Sequence, residues 1–339
     1  MSQPARTSSA GWNSATPGAD ADRARGVRPS ISDQLVRPDL SVNIAGIRMK
    51  NPVTVASGTF GYGKEYTHLI DLQALGAITV KGIRLQPCEG NPLPRHAEVP
   101  GGMVNAIGLQ GPGVDSFVRD YLPFLRETGV PVIVNIWGTS IDEYAEVAAR
   151  LSDIEGIAGF EVNISCPNVK EGGASFGADP RTVSALVTAV RRCTRRPLIP
   201  KLAPNVPNIK PFALAAAEAG ADALSLINTI PAMVIDIETR RPVLANKVGG
   251  LSGPAIHPVA VKLVWDAAQA VRIPIIAMGG ITGPEQAIEF MIAGATAVAV
   301  GTATFIDPST VLRVIAGIEA YLVRHKMKSA KELTGSLRV

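Results

Sequence analysis

Apolar residues recur along this chain in short dense blocks, separated by stretches where they fall on one side of a helical repeat. "SVNIAGIRMKNPV" (41–53) alternates and predicts a hairpin, and "VTVAS" (53–57) predicts a buried strand. A helix is expected over 65–75, a strand at "AITVKG" (77–82), a Gly- and Pro-dense loop to about 113, and a helix over 114–128. The same unit then repeats. Strands at 130–138, 159–165, 198–204, 223–229, 273–280 and 297–303 are followed by helices at 140–152, 180–193, 208–219, 256–270, 284–293 and 308–322. Near-continuous Val/Ile strands imply burial on both faces, as in a parallel sheet covered by helices.

Eight such units predict an α/β chain closed into a (β/α)₈ barrel, preceded by the hairpin. A doubly wound sheet is the alternative, but its first turn would carry G-x-G-x-x-G, which this chain lacks. Residues 1–36 show no apolar period and read as a disordered extension, residues 37–325 as the barrel, and 326–339 as a C-terminal tail.

Composition narrows the class. Hydrophobic residues are 46%, enough for a large core, and no apolar run nears the ~20 residues of a membrane span. The net charge of +4 is scattered and aromatics are 5%, which argues against a nucleic-acid binder. Cys88, Cys166 and Cys193 are too widely spaced for a disulfide framework or zinc site and fit a reducing cytoplasm. His68, His96, His257 and His325 share no metal spacing, so surface or capping roles are expected and no metal site.

Barrel enzymes work at the C-terminal ends of their strands. Those ends carry Ser57, Lys81-Gly82, Asn135, Asn163, Lys201, Asn228-Thr229, Gly279-Gly280 and Gly301-Thr302. The glycines of "AMGGI" and "AVGTA" stand before helices and let backbone N–H groups approach a phosphate; plain tight turns are the simpler alternative. "GGLSGPAI" could complete that cradle through Ser252 and Gly253. A buried ammonium needs an anion. Strand-end carboxylates being scarce, Lys81 and Lys201 are expected to meet a reduced flavin and a substrate carboxylate. Phosphate, flavin and carboxylate together suggest a flavin redox enzyme.

Cys166, in "NISCPNVKEGG", follows its strand into a polar loop between Asn163 and Asn168. An inert packing cysteine belongs inside the strand. A thiol of pKa about 8.5 over the mouth can take the proton that accompanies hydride transfer from a C–C bond.

These residues, with "NPVTVASGTFGYG", "GNPLPR", "GMVNAIGLQGPG", "KLAPNV", "LANKVGGLSGPAI" and "AVGTATF", resemble the dihydroorotate dehydrogenase family over about residues 38–320, most closely the catalytic subunit of its class 1B. The resemblance implies FMN, oxidation of dihydroorotate to orotate in pyrimidine synthesis, and Cys166 as base. It implies FMN contacts from Ser57, Lys81, Gly82, Asn135, Asn163, Lys201, Ile227, Gly253, Gly279, Gly280, Gly301 and Thr302. It implies substrate contacts from Lys81, Asn105, Ala106, Ile107, Gly108, Leu109, Asn163, Asn228 and Thr229. It further implies a homodimeric core joined to an FAD/2Fe–2S subunit that passes electrons to NAD, a heterotetramer without nucleic acid or membrane. Class 1A enzymes, homodimers that reduce fumarate, are the nearest alternative; a flavin enzyme acting on uracil or tRNA dihydrouridine, and a flavin sensor or storage protein, are others. Gly111 and Cys88 depart from the family pattern, where Asn and Arg are expected.

Overall fold

The computed structural model describes residues 37–164 and 176–338, so the extension 1–36 and Cys166 lie outside the described residues. Residues 37–339 cluster as one unit. Eight parallel strands make the barrel: β1 (Val53–Val55), β2 (Ile78–Ile83), β3 (Val132–Ile136), β4 (Gly159–Asn163), β5 (Leu198–Lys201), β6 (Leu224–Leu226), β7 (Ile275–Met278) and β8 (Ala297–Val300). They are hydrogen-bonded in the order β1-β8-β7-β6-β5-β4-β3-β2. The seam between β1 and β2 closes through other bonds. Gly76 N donates to Val53 O at 2.9 Å, and the Thr54 hydroxyl donates to Ala77 O at 2.9 Å and lies 3.2 Å from the Thr79 hydroxyl.

The strands are buried because helices cover their outer faces. Ile141–Ser152 buries Tyr144, Val147, Ala148 and Leu151, a spacing of three to four residues that defines one helical face. Its start is set locally. Ser140 accepts from Glu143 N at 3.2 Å while Glu143 accepts from Thr139 N at 2.7 Å, a near relative of the capping box. The opening hairpin, Val42–Ile44 and Ile47–Met49, turns at Ala45 and Gly46, both at positive φ. Its Ile47 packs at the start of β4: a Cβ on Gly159 would lie 2.9 Å from the Ile47 Cδ1. The hairpin therefore closes the N-terminal end of the barrel and leaves the opposite end for chemistry.

Several elements differ from the sequence expectation. The helix expected at 65–75 is two single 3₁₀ turns, Lys64–Tyr66 and Leu72–Ala74, since a segment this short and glycine-flanked cannot sustain a cooperative helix. The helix at 114–128 carries a π-helical stretch at Phe117–Tyr121. The stretch read as a loop to 113 holds two strands, His96–Val99 and Gly102–Asn105. These join Val248–Ser252 and Ile230–Met233 in a four-stranded antiparallel sheet built from the segments that follow β2 and β6. The helix expected at 308–322 is Thr310–Arg324, preceded by the short helix Ala303–Ile306. Beyond residue 325, a helix at Ala330–Leu333 buries Ala330 and Leu333, and Ala330 N donates to Asp39 O at 2.8 Å. Among the described residues no helix is long and apolar enough to cross a membrane.

Candidate active site

A buried polar network lies inside the barrel. Strand register sets Asn135 beside Glu161, Asn163 beside Lys201, and Lys201 beside Ser225. Glu161 is its centre: Oε1 accepts from Asn135 Nδ2 at 2.6 Å and lies 3.8 Å from Lys201 Nζ, while Oε2 accepts from the Ser225 hydroxyl at 2.9 Å. Side-chain exposures of 8% for Lys201 and 3% for Glu161 mean that both ions have left water. Desolvation costs several kcal/mol per ion, so the pair persists because the remaining lone pairs of the carboxylate are also satisfied. This corrects the expectation that strand carboxylates are too scarce to neutralise Lys201. The signal was present: Glu161 and Asn163 alternate with Phe160 and Val162, so they share the inner face of β4.

Above this network, Asn228 Nδ2 donates to Asn163 Oδ1 at 3.1 Å, joining the ends of β4 and β6. Asn228 Oδ1 accepts from Thr229 N at 2.9 Å, and Tyr144 donates from its helix to the Asn163 carbonyl at 2.5 Å. Ile227 is buried and its amide donates to Met278 O at 3.1 Å. Ser57 is buried just beyond the end of β1. Both asparagines thus arrive at the mouth with their backbones fixed.

On β2, Lys81 is half-buried, and burial first, then the nearby Arg95, holds its ammonium below the ordinary lysine range. Gly82 follows because a Cβ there would stand 2.9 Å from Asn135 Oδ1 and 3.0 Å from Trp137 Cδ1. The predicted substrate segment 105–109 leaves the strand Gly102–Asn105 and is pinned by Asn91, which donates from Nδ2 to Ala106 O at 2.9 Å and from N to Ile107 O at 3.0 Å. Gly108 turns at φ 77°, against Asn91, and Leu109 follows at φ 54°. Arg95 donates to Gln110 Oε1 at 2.8 Å and to Glu89 O at 3.0 Å. Asn91 and Arg95 were visible in "GNPLPR" but had been given no role. The two departures, Cys88 and Gly111, face one another and exchange backbone hydrogen bonds of 2.9 Å.

The glycine turns converge from three loops. Gly253, Gly279 and Gly280 adopt φ of 102°, 133° and 72°, a region L side chains rarely enter. A Cβ on Gly280 would lie 2.7 Å from His257 Cβ and 2.9 Å from Gly253 O. Gly301, after β8, would meet only Ala56 Cβ at 3.4 Å and atoms of Thr59 at 3.9–4.0 Å. The Thr302 hydroxyl lies 2.8 Å from the Ser252 hydroxyl, tying the β8 turn to the antiparallel sheet. His257, expected to have a surface or capping role, is only 9% exposed and uses both ring nitrogens, as described below. These features fit a flavin mononucleotide: glycine turns for a phosphate, and amides and lysines for a polar ring. Among the described residues no group of three or more His, Cys, Asp or Glu could hold a metal.

Eight parallel strands closed into a barrel, with polar side chains and glycine turns gathered beyond their C-terminal ends, define a (β/α)₈ barrel with its mouth built as an enzyme site. Residues 39–322 match the family model of dihydroorotate dehydrogenase, and the chain belongs to that family. It is 56% identical over 303 residues to the dihydroorotate dehydrogenase B (NAD(+)), catalytic subunit, of Citrifermentans bemidjiense, covering 89% of this chain and 99% of that protein. The proteins of the same name from Geotalea daltonii and Desulforudis audaxviator are each 55% identical, over 305 and 296 residues. Those matches cover 90% and 87% of this chain, and 100% and 96% of the respective relatives.

Proposed function

We propose that this chain is the FMN-binding catalytic subunit of an NAD-linked dihydroorotate dehydrogenase. The observation that carries the reading is the joining of Asn163 to Asn228 at 3.1 Å, across the mouth of a barrel whose sequence matches that family from residue 39 to 322. Two amides joined by a hydrogen bond present their remaining donors and acceptors to a cyclic imide such as dihydroorotate.

In this reading Lys81 holds the substrate carboxylate. Segment 105–109 with Asn163, Asn228 and Thr229 orients the ring, and Cys166 takes the C5 proton. When bound, FMN accepts the hydride leaving C6. The C5–C6 single bond becomes a double bond, so substrate loses one proton and one hydride in balance. Lys201, Asn135 and Ser57 would hold the flavin ring; Gly253, Gly279, Gly280, Gly301 and Thr302 its phosphate. The words "catalytic subunit" in the relatives' names support a separate electron-transfer subunit, which we assign FAD and a 2Fe–2S cluster on a homodimeric core. Free thiols at Cys88 and Cys193 agree with a cytoplasmic setting.

The test is anaerobic stopped-flow reduction of the purified yellow protein by dihydroorotate, followed by a screen of NAD, fumarate and quinone. Bleaching by dihydroorotate with slow NAD turnover until the partner is added supports the reading. Rapid fumarate turnover by the lone chain would favour the class 1A alternative. No bleaching would overturn both.

A further inference from the structure

His257 opens the helix His257–Ala270, and its ring lies beneath the Gly279–Gly280 turn. Nδ1 is 2.9 Å from the Gly279 carbonyl oxygen, and Nε2 is 2.9 Å from Glu289 Oε2. Phe290 meets the ring edge-on at a centroid distance of 4.8 Å, so the imidazole plane is fixed from a third side. Glu289 and Phe290 both belong to Pro284–Ala293, the helix that the glycine turn feeds. One side chain thus binds together the start of one helix, the end of β7 and the middle of the next helix.

The two partners have a common property. A carbonyl oxygen only accepts, and so does an ionised carboxylate. A neutral imidazole offers one N–H and one lone pair, so it can satisfy only one of them. The other nitrogen would then point a lone pair at an oxygen 2.9 Å away. Both contacts are met only when the ring carries both protons. The dipole at a helix N-terminus works against a cation there, so the two acceptors must outweigh it. Among the described residues, Glu289 is the charged group paired with the ring.

Resting on the FMN reading above, we propose that His257 is a doubly protonated positioning residue. It fixes the Gly279 carbonyl and brings a positive charge under the turn assigned to the cofactor phosphate. No substrate atom needs to touch it; its effect reaches the cofactor through backbone geometry and charge.

The test separates phosphate from ring. Apo-protein is titrated with FMN and with riboflavin by flavin fluorescence quenching, for the natural chain and for His257→Leu, His257→Asn and Glu289→Gln. Asparagine can keep the neutral bond to Gly279 while losing the charge. We expect His257→Leu to weaken FMN by about tenfold or more, His257→Asn to recover part of the loss, and riboflavin affinity to stay within about twofold of the natural chain. Glu289→Gln should weaken FMN less than His257→Leu does.

A second measurement needs no variant to fold and no flavin to bind. Long-range ¹H–¹⁵N correlation on the natural apo chain at pH 7 reports the protonation of all four histidines. His257 should show two protonated nitrogens. One bare nitrogen at His257, or an equal loss of FMN and riboflavin binding in His257→Leu, would overturn the proposal. Failure of the natural chain to bind FMN would overturn the functional reading instead, while the correlation spectrum would still decide the charge of His257.

Discussion

Glu161 Oε1 lies 3.8 Å from Lys201 Nζ, on neighbouring strands inside the barrel. Removing one ion of a buried pair is far more damaging than removing a surface charge, because the other is left uncompensated. Lys201→Met is expected to destabilise the fold by about 3–5 kcal/mol. Glu161→Gln keeps an oxygen for Asn135 but likewise leaves the Lys201 ammonium uncompensated, and should cost a comparable amount, about 3–5 kcal/mol. Urea denaturation of both variants measures the losses. Equal and small losses would mean that the pair contributes little.

The Asn163–Asn228 bond predicts a split between substrate and cofactor. Asn228→Ala deletes the amide that joins β4 to β6 and leaves Asn163 Oδ1 without that donor. The substrate concentration for half-maximal flavin reduction should rise by about tenfold to a hundredfold, with FMN content unchanged. Stopped-flow titration alongside flavin quantification gives both readouts. Loss of FMN in step with substrate affinity would place Asn228 with the cofactor instead.

Lys81 gives the pH prediction. In the free protein burial, and then Arg95, lower its ionisation below the ordinary value of 10.5. A carboxylate ligand prefers the charged lysine, so binding is favoured while Lys81 keeps its proton. Orotate affinity should hold through neutral pH and fall as pH rises through the lowered value, earlier than for an unperturbed lysine. Spectral titration of orotate binding at alkaline pH tests the sign. Affinity that improves with rising pH would exclude Lys81 as the carboxylate partner.

Cys166 carries the prediction drawn from sequence alone. A serine hydroxyl is a much poorer base than a thiolate, and general-base contributions run to about 10²–10⁴-fold. Cys166→Ser should slow flavin reduction on that scale while orotate still binds. An unchanged rate would assign the proton transfer elsewhere.

The barrel was legible because its strands are short blocks rich in Val, Ile and other apolar residues, and the Gly279–Gly280 turn because its positive φ favours glycine. What escaped reading was what side chains do across strands. Glu161 was given no role, because only strand register places it beside Asn135 and Lys201. His257 looked like a helix-start residue because its partners, Gly279 and Glu289, are 22 and 32 residues away. The antiparallel sheet escaped because its strands are short and one of its three pairings joins segments more than a hundred residues apart. Its small core, Val104, Ala106 and Leu244, leaves no periodic trace.

That sheet has a consequence for anyone wishing to retarget the enzyme. Gly250 is paired with Asn105, and Ser252 with Met103, although 145 residues separate the first pair along the chain. The segment that ends at Asn105 and the segment that ends at Ser252 are therefore halves of one pleated plate, with the segment proposed for substrate issuing from one half and the Gly253 turn proposed for phosphate from the other. A graft that exchanged only the first half would meet a foreign edge. Successful chimeras between relatives should be those in which both halves come from the same parent, whatever the origin of the barrel beneath them.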